Sequence, residues 1–208
     1  MRVMLADDHA IVRQGLRALL EREGFEVVGE ASDGHEAIQI VQKFYPEICV
    51  LDISMPLLNG IDAAREIAKI SPRTKIILLT MYTEDHYVLE SLRAGVDGYV
   101  LKTKAAAELV QAIRDVWKGE TYLSSGISKT VVQAFLNKSD MPADPLSLRE
   151  REVLQLVAEG KTSKEIATIL NISTKTAESH RTNIMDKLNI HFTAGLVRYA
   201  IRHGLITS

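Results

Sequence analysis

Short apolar runs and amphipathic stretches alternate through the first two thirds of the chain. Val3-Met-Leu-Ala6, Ile48-Cys-Val-Leu51, Ile76-Ile-Leu-Leu79 and Tyr99-Val-Leu101 are continuous apolar segments, and Phe25-Glu-Val-Val-Gly-Glu-Ala31 is a more alternating fifth. Runs of this length predict strands buried on both faces. Helical spacing fills the gaps, over about 10–22, 34–44, 60–70, 84–94 and 105–118. Gly24, Gly95 and Gly119 follow helical patterns, where a left-handed cap is expected. Strict alternation of this kind predicts an α/β fold, a (βα)5 doubly wound parallel sheet covered on both faces.

The pattern changes after about residue 120. Residues 121–145 read as a linker with one helix near 127–137, and Asn137–Pro145 holds two prolines without apolar periodicity. Residues 146–208 carry no strand pattern and predict four helices, near 148–159, 163–170, 174–188 and 193–203. Ser147-Leu-Arg-Glu150 and Thr162-Ser-Lys-Glu165 are capping-box sequences placed directly before apolar-periodic runs. The chain therefore divides into a domain over 1–120, a linker over 121–145 and a small all-α domain over 146–208.

Composition narrows the class. At 46% hydrophobic and 25% charged residues, the 208-residue chain is neither disordered nor fibrous. The single cysteine, Cys49, allows no internal disulfide and suits a reducing cytoplasm. No apolar run reaches the ~18 residues of a membrane span, and the start turns acidic too early for a signal peptide. The net charge of −2 hints at no nucleic acid until it is divided by domain. Residues 146–208 hold nine basic and six acidic residues, net +3, which leaves 16 and 21, net −5, for residues 1–145. Such an asymmetry predicts different partners for the two parts.

The chemistry of the first domain lies just past its strands. Asp7 and Asp8 follow the first run, Asp52 the third, Thr80 the fourth and Lys102 the fifth. Parallel strands bring such positions to one edge of the sheet, where ligands bind. Three carboxylates brought together repel one another unless a cation intervenes, and a hard-oxygen donor set favours Mg²⁺. A lysine beside them suits a second anion, such as a phosphoryl group. Asp52 is the better nucleophile, because adjacent Asp7 and Asp8 suit shared metal binding.

Leu51-Asp52-Ile-Ser-Met55-Pro56-Leu-Leu-Asn59-Gly60, with Asp7-Asp8, Thr80 and Tyr99-Val-Leu-Lys102, resembles the receiver domain of two-component response regulators, a flavodoxin-like fold. The resemblance covers about residues 1–120. It implies that Asp52 accepts phosphate from a sensor histidine kinase and that Asp7, Asp8, Asp52 and the Ser54 backbone carbonyl hold Mg²⁺. It also implies that Lys102 pairs with the phosphoryl oxygens, that Thr80 moves to bond them, and that Tyr99 changes rotamer with Thr80. Two positions depart from the pattern: Thr103 follows Lys102 where proline is common, and Met81 is bulkier than the usual small residue. Met81 is expected to cover part of the site and slow exchange.

The stretch 174–188 reads as a polar-faced helix. With Ala177, Ile184 and Leu188 inward, the outer side carries Lys175, Ser179, Thr182 and Asp186, flanked by Glu178 and Asn183. Short donors and acceptors suit a major groove. Asn171-Ile-Ser173 joins this helix to the one before it by a short turn. Leu148-Arg-Glu-Arg-Glu-Val-Leu154, Glu165-Ile-Ala167, Ile172-Ser-Thr-Lys-Thr176, His180 and Ile184-Met-Asp-Lys-Leu188 resemble the LuxR-type helix-turn-helix. With the receiver, this is the architecture of the NarL/FixJ subfamily. The resemblance implies double-stranded DNA as partner, with Glu178, Ser179 and Thr182 as base-reading candidates, Glu178 accepting from a cytosine amine. Lys175, Thr176, His180, Asn183 and Lys187 would contact phosphates. It also implies a homodimer through the helix near 193–203, where Gly195 permits close approach and Arg198, Tyr199 and Arg202 face outward.

The expected function is a cytoplasmic, phosphorylation-switched transcription regulator and not an enzyme beyond its own phosphorylation and dephosphorylation. An aspartyl-phosphate hydrolase is disfavoured because Asp7-Asp8-His9 lacks the Asp-x-Asp spacing of haloacid dehalogenase-type enzymes. A protein-binding helical module without a DNA role remains the other alternative. Gly160-Lys161-Thr162 lacks the earlier glycine of a phosphate loop, and His35-Glu36 lacks the second histidine of a zinc protease.

Overall fold

The computed structural model describes residues 1–127 and 145–206, which fall into two compact units dividing at Ser139 and Asp140. In the first unit β1 (Arg2–Ala6), α1 (Ala10–Arg22), β2 (Glu26–Ala31), α2 (Gly34–Phe44), β3 (Ile48–Asp52), α3 (Gly60–Ile70), β4 (Lys75–Thr80), α4 (Asp85–Arg93), β5 (Gly98–Leu101) and α5 (Ala105–Trp117) alternate as the pattern predicts. A sixth strand, β6 (Tyr122–Leu123), extends the sheet past the expected five. Two residues give no periodicity to read, and only the pairing of Tyr122 and Leu123 with Gly98 and Tyr99 makes them a strand.

All pairings are parallel, in the order β2-β1-β3-β4-β5-β6. Alternate side chains feed two cores. Met4, Cys49, Leu51, Ile76, Leu78 and Tyr99 pack with α2, α3 and α4 residues such as Val41, Ile67 and Val88. Val3, Leu5, Val50, Ile77, Leu79 and Val100 pack with Leu16 and Leu20 of α1 and Leu109, Ile113 and Val116 of α5. β3 is buried throughout, whereas β2, paired on one side only, is mostly half-buried. That explains its more alternating sequence. The strand order reverses between β1 and β3, so the crevice past their carboxyl ends is the expected ligand edge.

Local chemistry sets the helix ends. Asp33 caps α2 by accepting from the Glu36 N–H, and Asn59 caps α3 by accepting from the Asp62 N–H. Gly24, Gly95 and Gly119 take φ of 83°, 83° and 90°, as their positions predict. Gly60 meets a stricter demand. A Cβ there would lie 2.0 Å from the Asp52 carbonyl oxygen, so only glycine lets α3 start against the end of β3.

The second unit contains α6 (Leu148–Ala158), α7 (Ser163–Ile169), α8 (Thr174–Leu188) and α9 (Thr193–Arg202). Both capping boxes form, with Ser147 and Glu150 at α6 and Thr162 and Glu165 at α7. The core gathers Val153, Leu154, Leu156 and Val157 of α6, Ile166 of α7, Ala177 and Ile184 of α8, and Leu196 and Ala200 of α9. Leu188, expected inward, is half-buried. Gly195 is buried beneath the preceding loop, where a Cβ would lie 2.6 Å from Ile190 Cγ2. Close approach at Gly195 is thus already taken up within this chain. Residues 128–137 of the expected linker helix, and the proline segment through 144, lie outside the described residues.

Candidate functional site

Four of the six strands, β1, β3, β4 and β5, bring polar groups to the crevice past their carboxyl ends. Asp7 follows β1 and Asp52 ends β3, both buried, at 1% and 3% exposure. Lys102 follows β5, and its ammonium lies 2.7 Å from Asp7 Oδ2 and 2.9 Å from Asp52 Oδ2. Burial raises the Asp52 carboxyl above its ordinary range, against the opposing pull of Lys102. Burial works against the Lys102 charge too, yet the Asp52 and Asp7 carboxylates overcome it and hold the ammonium above the usual lysine range. A nucleophile forms where a buried carboxylate keeps one cation beside it and the cation can be drawn onto an incoming anion.

Asp8 is exposed and completes an acidic set with its neighbours. Asp7, Asp8, His9 and Asp52 offer ligand atoms that all lie within 4.8 Å of one another. His9 was not among the residues expected here. Its Nδ1 lies 2.6 Å from Asp8 Oδ1 and 3.4 Å from Asp7 Oδ1. Its backbone N–H donates to Asp7 Oδ1 at 2.9 Å. Adjacency to Asp8 was the sole sequence signal, and adjacency does not tell a loop-facing imidazole from a solvent-facing one.

Thr80 is fully buried at the end of β4, with its hydroxyl accepting from the Tyr82 N–H at 3.1 Å. Tyr99 is 1% exposed and donates its phenol proton to the Tyr82 carbonyl at 3.0 Å. Burial pushes that phenol well above the ordinary tyrosine range, against a hydrogen bond with Thr80. Ser54 is half-buried, and its hydroxyl pairs with the Tyr82 hydroxyl at 2.9 Å. Thr103 lies in a 3₁₀ turn over Lys102–Lys104, and no peptide bond among the described residues is cis. Met81 is 61% exposed, so most of its surface faces solvent rather than the carboxylates.

In the second unit α8 turns one face outward. Lys175, Thr176, Glu178, Ser179, Thr182, Asn183 and Lys187 are exposed, and His180 is half-buried. Ser179 and Thr182 donate their hydroxyl protons to the Lys175 and Glu178 carbonyls at 2.9 and 3.2 Å. Lone pairs therefore remain for outside donors. Thr176 is tied into the helix cap, its N–H donating to Ser173 Oγ at 3.0 Å. The turn before α8 uses Asn171 at φ 51°, in the left-handed region that asparagine tolerates. Lys187 is placed differently from its neighbours. Its ammonium lies 2.7 Å from Glu150 Oε2, a buried carboxylate that also closes the α6 capping box. On α9, Arg198 and Arg202 are exposed, while Tyr199 is half-buried and stacked on His203 at 3.8 Å.

Comparison with known proteins agrees with both geometries. Residues 3–114 match the family described as response regulator receiver domain, and residues 144–200 match bacterial regulatory proteins, luxR family. Oxygen regulatory protein NreC of Staphylococcus carnosus is 40% identical over 215 residues, covering 99% of each chain. Its namesake from Staphylococcus aureus strain MRSA252 is 41% identical with the same coverage. Among solved structures, RcsB of Salmonella typhimurium is 34% identical over 98% of each chain, with a TM-score of 0.64. RcsB of Salmonella enterica serovar Typhimurium bound to a promoter, in the presence of the phosphomimetic BeF₃⁻, is 34% identical with a TM-score of 0.61. That match covers 96% of this chain and 97% of that one.

Proposed function

The chain belongs to the two-component response regulators that join a receiver domain to a LuxR-type DNA-binding domain, and on that premise we propose how its residues divide the work. It is a phosphorylation-controlled DNA-binding transcription regulator, with a sensor kinase and DNA as partners. Asp52 is the phosphoacceptor. One of its carboxylate oxygens attacks the phosphorus of a phosphohistidine on the kinase. The P–N bond breaks as the O–P bond forms, and the imidazole recovers a proton. The product is a carboxyl–phosphoryl anhydride on Asp52.

The supporting observation is Lys102 bridging Asp7 and Asp52. Before transfer the ammonium offsets two buried carboxylates. After transfer it pairs with the phosphoryl oxygens, which carry more charge than the carboxylate they replace. Thr80 contributes its hydroxyl to the same oxygens and Tyr99 moves with it. These contacts exist only in the phosphorylated state and so bias a two-state receiver. The clustered hard oxygens fit Mg²⁺, held by Asp7, Asp8, Asp52 and the Ser54 carbonyl. When bound, the ion would neutralise charge developing on the transferred group.

DNA reading belongs to α8. Glu178, Ser179 and Thr182 face base edges, and Lys175, Thr176, His180 and Asn183 contact phosphates. Lys187 was assigned to the same set, but its pairing with Glu150 gives it a share in holding α8 as well. The functional form is a homodimer on a two-fold site, in keeping with solved RcsB dimers on DNA. No helix among the described residues is long and apolar enough to cross a membrane, and a cytoplasmic location suits a reader of DNA. Asp52→Asn should abolish the phosphoryl mass gain on the intact protein after incubation with a phosphorylated kinase. It should also remove the BeF₃⁻-dependent rise in affinity for DNA selected from a random pool. A variant that still gains phosphate would move the acceptor elsewhere.

A further inference from the structure

Tyr82 lies two residues past Thr80 and makes four contacts around the phosphorylation site. Its N–H donates to Thr80 Oγ1 at 3.1 Å, and its carbonyl accepts from the Tyr99 phenol at 3.0 Å. Its hydroxyl pairs with the Ser54 hydroxyl at 2.9 Å, across the crevice and two residues past Asp52. Its ring stacks on Tyr87 of α4, with centroids 4.1 Å apart and planes 18° off parallel. Tyr87 is buried and also packs against the His86 ring at 4.1 Å. One half-buried residue therefore joins the loop after β3 and the first turn of α4 through its side chain, and the end of β4 through its backbone N–H.

We propose that Tyr82 is a positioning residue, a tie that holds the receiver in its unphosphorylated arrangement and passes the displacement of Thr80 to α4. This rests on the reading of Asp52 as phosphoacceptor. Thr80 cannot draw toward a phosphoryl group on Asp52 without pulling on the Tyr82 N–H that holds its hydroxyl. Tyr82 follows only by giving up the Ser54 hydroxyl or by sliding off Tyr87. Either contact then belongs to the resting state alone. A purely packed tyrosine would need its ring and not its hydroxyl, whereas here the hydroxyl closes the bridge to Ser54.

The experiment is ¹⁹F NMR of the full-length protein labelled with 3-fluorotyrosine, with and without BeF₃⁻ and Mg²⁺. The chain has six tyrosines, and Tyr82→Phe identifies the Tyr82 signal by its loss. Loading of the wild type should shift the Tyr82, Tyr87 and Tyr99 signals together. Tyr82→Phe keeps the ring and both backbone contacts and deletes the hydroxyl bridge. Without BeF₃⁻, its Tyr87 and Tyr99 signals should lie part of the way toward their loaded positions. Loss of one neutral hydrogen bond corresponds to about a fivefold rise in the ratio of loaded-like to resting molecules. Ser54→Ala removes the same bridge from the other end and should move the same signals along the same line, with no further shift in the double variant. A wild type whose Tyr82 and Tyr87 signals stay still while Tyr99 moves overturns the tie alone. Signals that leave the resting-to-loaded line in both variants also overturn it. A wild type in which no tyrosine responds overturns the Asp52 reading and the tie with it.

Discussion

A Cβ on Gly60 would lie 2.0 Å from the Asp52 carbonyl oxygen and 2.8 Å from its carbonyl carbon, both backbone atoms that cannot swing aside. Gly60→Ala must therefore push α3 away from the end of β3, and Asp52, the proposed phosphoacceptor, moves with that backbone. The expected cost is about 3 kcal/mol of stability, the upper end for a forced backbone shift. Phosphorylation should slow more than the fraction of unfolded protein accounts for. Thermal unfolding and the rate of phosphoryl mass gain, read on one preparation, check both. Lys102→Met should act through charge, and therefore with pH. It leaves Asp7 and Asp52 buried without their shared cation, and so it should lower stability at neutral pH yet cost less in acid, where the Asp52 carboxyl, raised by burial, is protonated. Thermal midpoints of variant and wild type should converge as the pH falls, and a constant gap would refute this account. Asp7, Asp8, Asp52, Thr80 and Lys102 were legible because a residue's place after a strand fixes its edge of the sheet. His9 and Tyr82 were not. Their roles depend on which way a loop side chain turns, and no periodicity records that.

Helix termini carried more information than helix faces. Ser147-x-x-Glu150 and Thr162-x-x-Glu165 could be read as capping boxes because donor and acceptor lie three residues apart. The two-residue β6 and the partner of Lys187 could not, the first for want of length and the second because Glu150 is 37 residues away. That pair makes a prediction about how α6 and α8 hold together. Burial alone would raise the Glu150 carboxyl, but hydrogen bonds from Lys187 and from the Ser147 N–H and hydroxyl hold it below the ordinary 4.5. A carboxyl lowered on folding contributes stability above the ordinary carboxylate range and loses it as the pH falls through the lowered value. Lys187 is 43% exposed, so water screens part of the attraction. Lys187→Met should then cost about 1–2 kcal/mol at neutral pH. Amide exchange of α6 and α8 in the full chain should show the gap closing once the pH falls below the folded-state value of Glu150.

Charge at the scale of the whole chain hides what each part does. The net −2 combines −5 before residue 146 with +3 from there on, and phosphorylation at the proposed acceptor Asp52 would make the first part more negative still. DNA binding should therefore follow the second part alone in its dependence on salt. Each lysine that meets a phosphate adds about one to the steepness of log affinity against log salt. Lys175 is exposed on α8 and bears no ion pair among the described residues, so Lys175→Gln should flatten that slope by about one. Lys187→Gln separates the two roles open to that side chain. If its ammonium stays on Glu150, no counterion leaves the DNA on its account, and affinity falls through a loosened α8 with the slope unchanged. If it leaves Glu150 for a phosphate, the slope flattens as for Lys175. The structure favours the first outcome, because releasing the ammonium would strand the Glu150 carboxylate, only 6% exposed, in the capping box that starts α6. Fluorescence anisotropy of a selected duplex over a range of salt concentrations distinguishes them, and a slope lowered by one for Lys187→Gln would return it to the phosphate contacts.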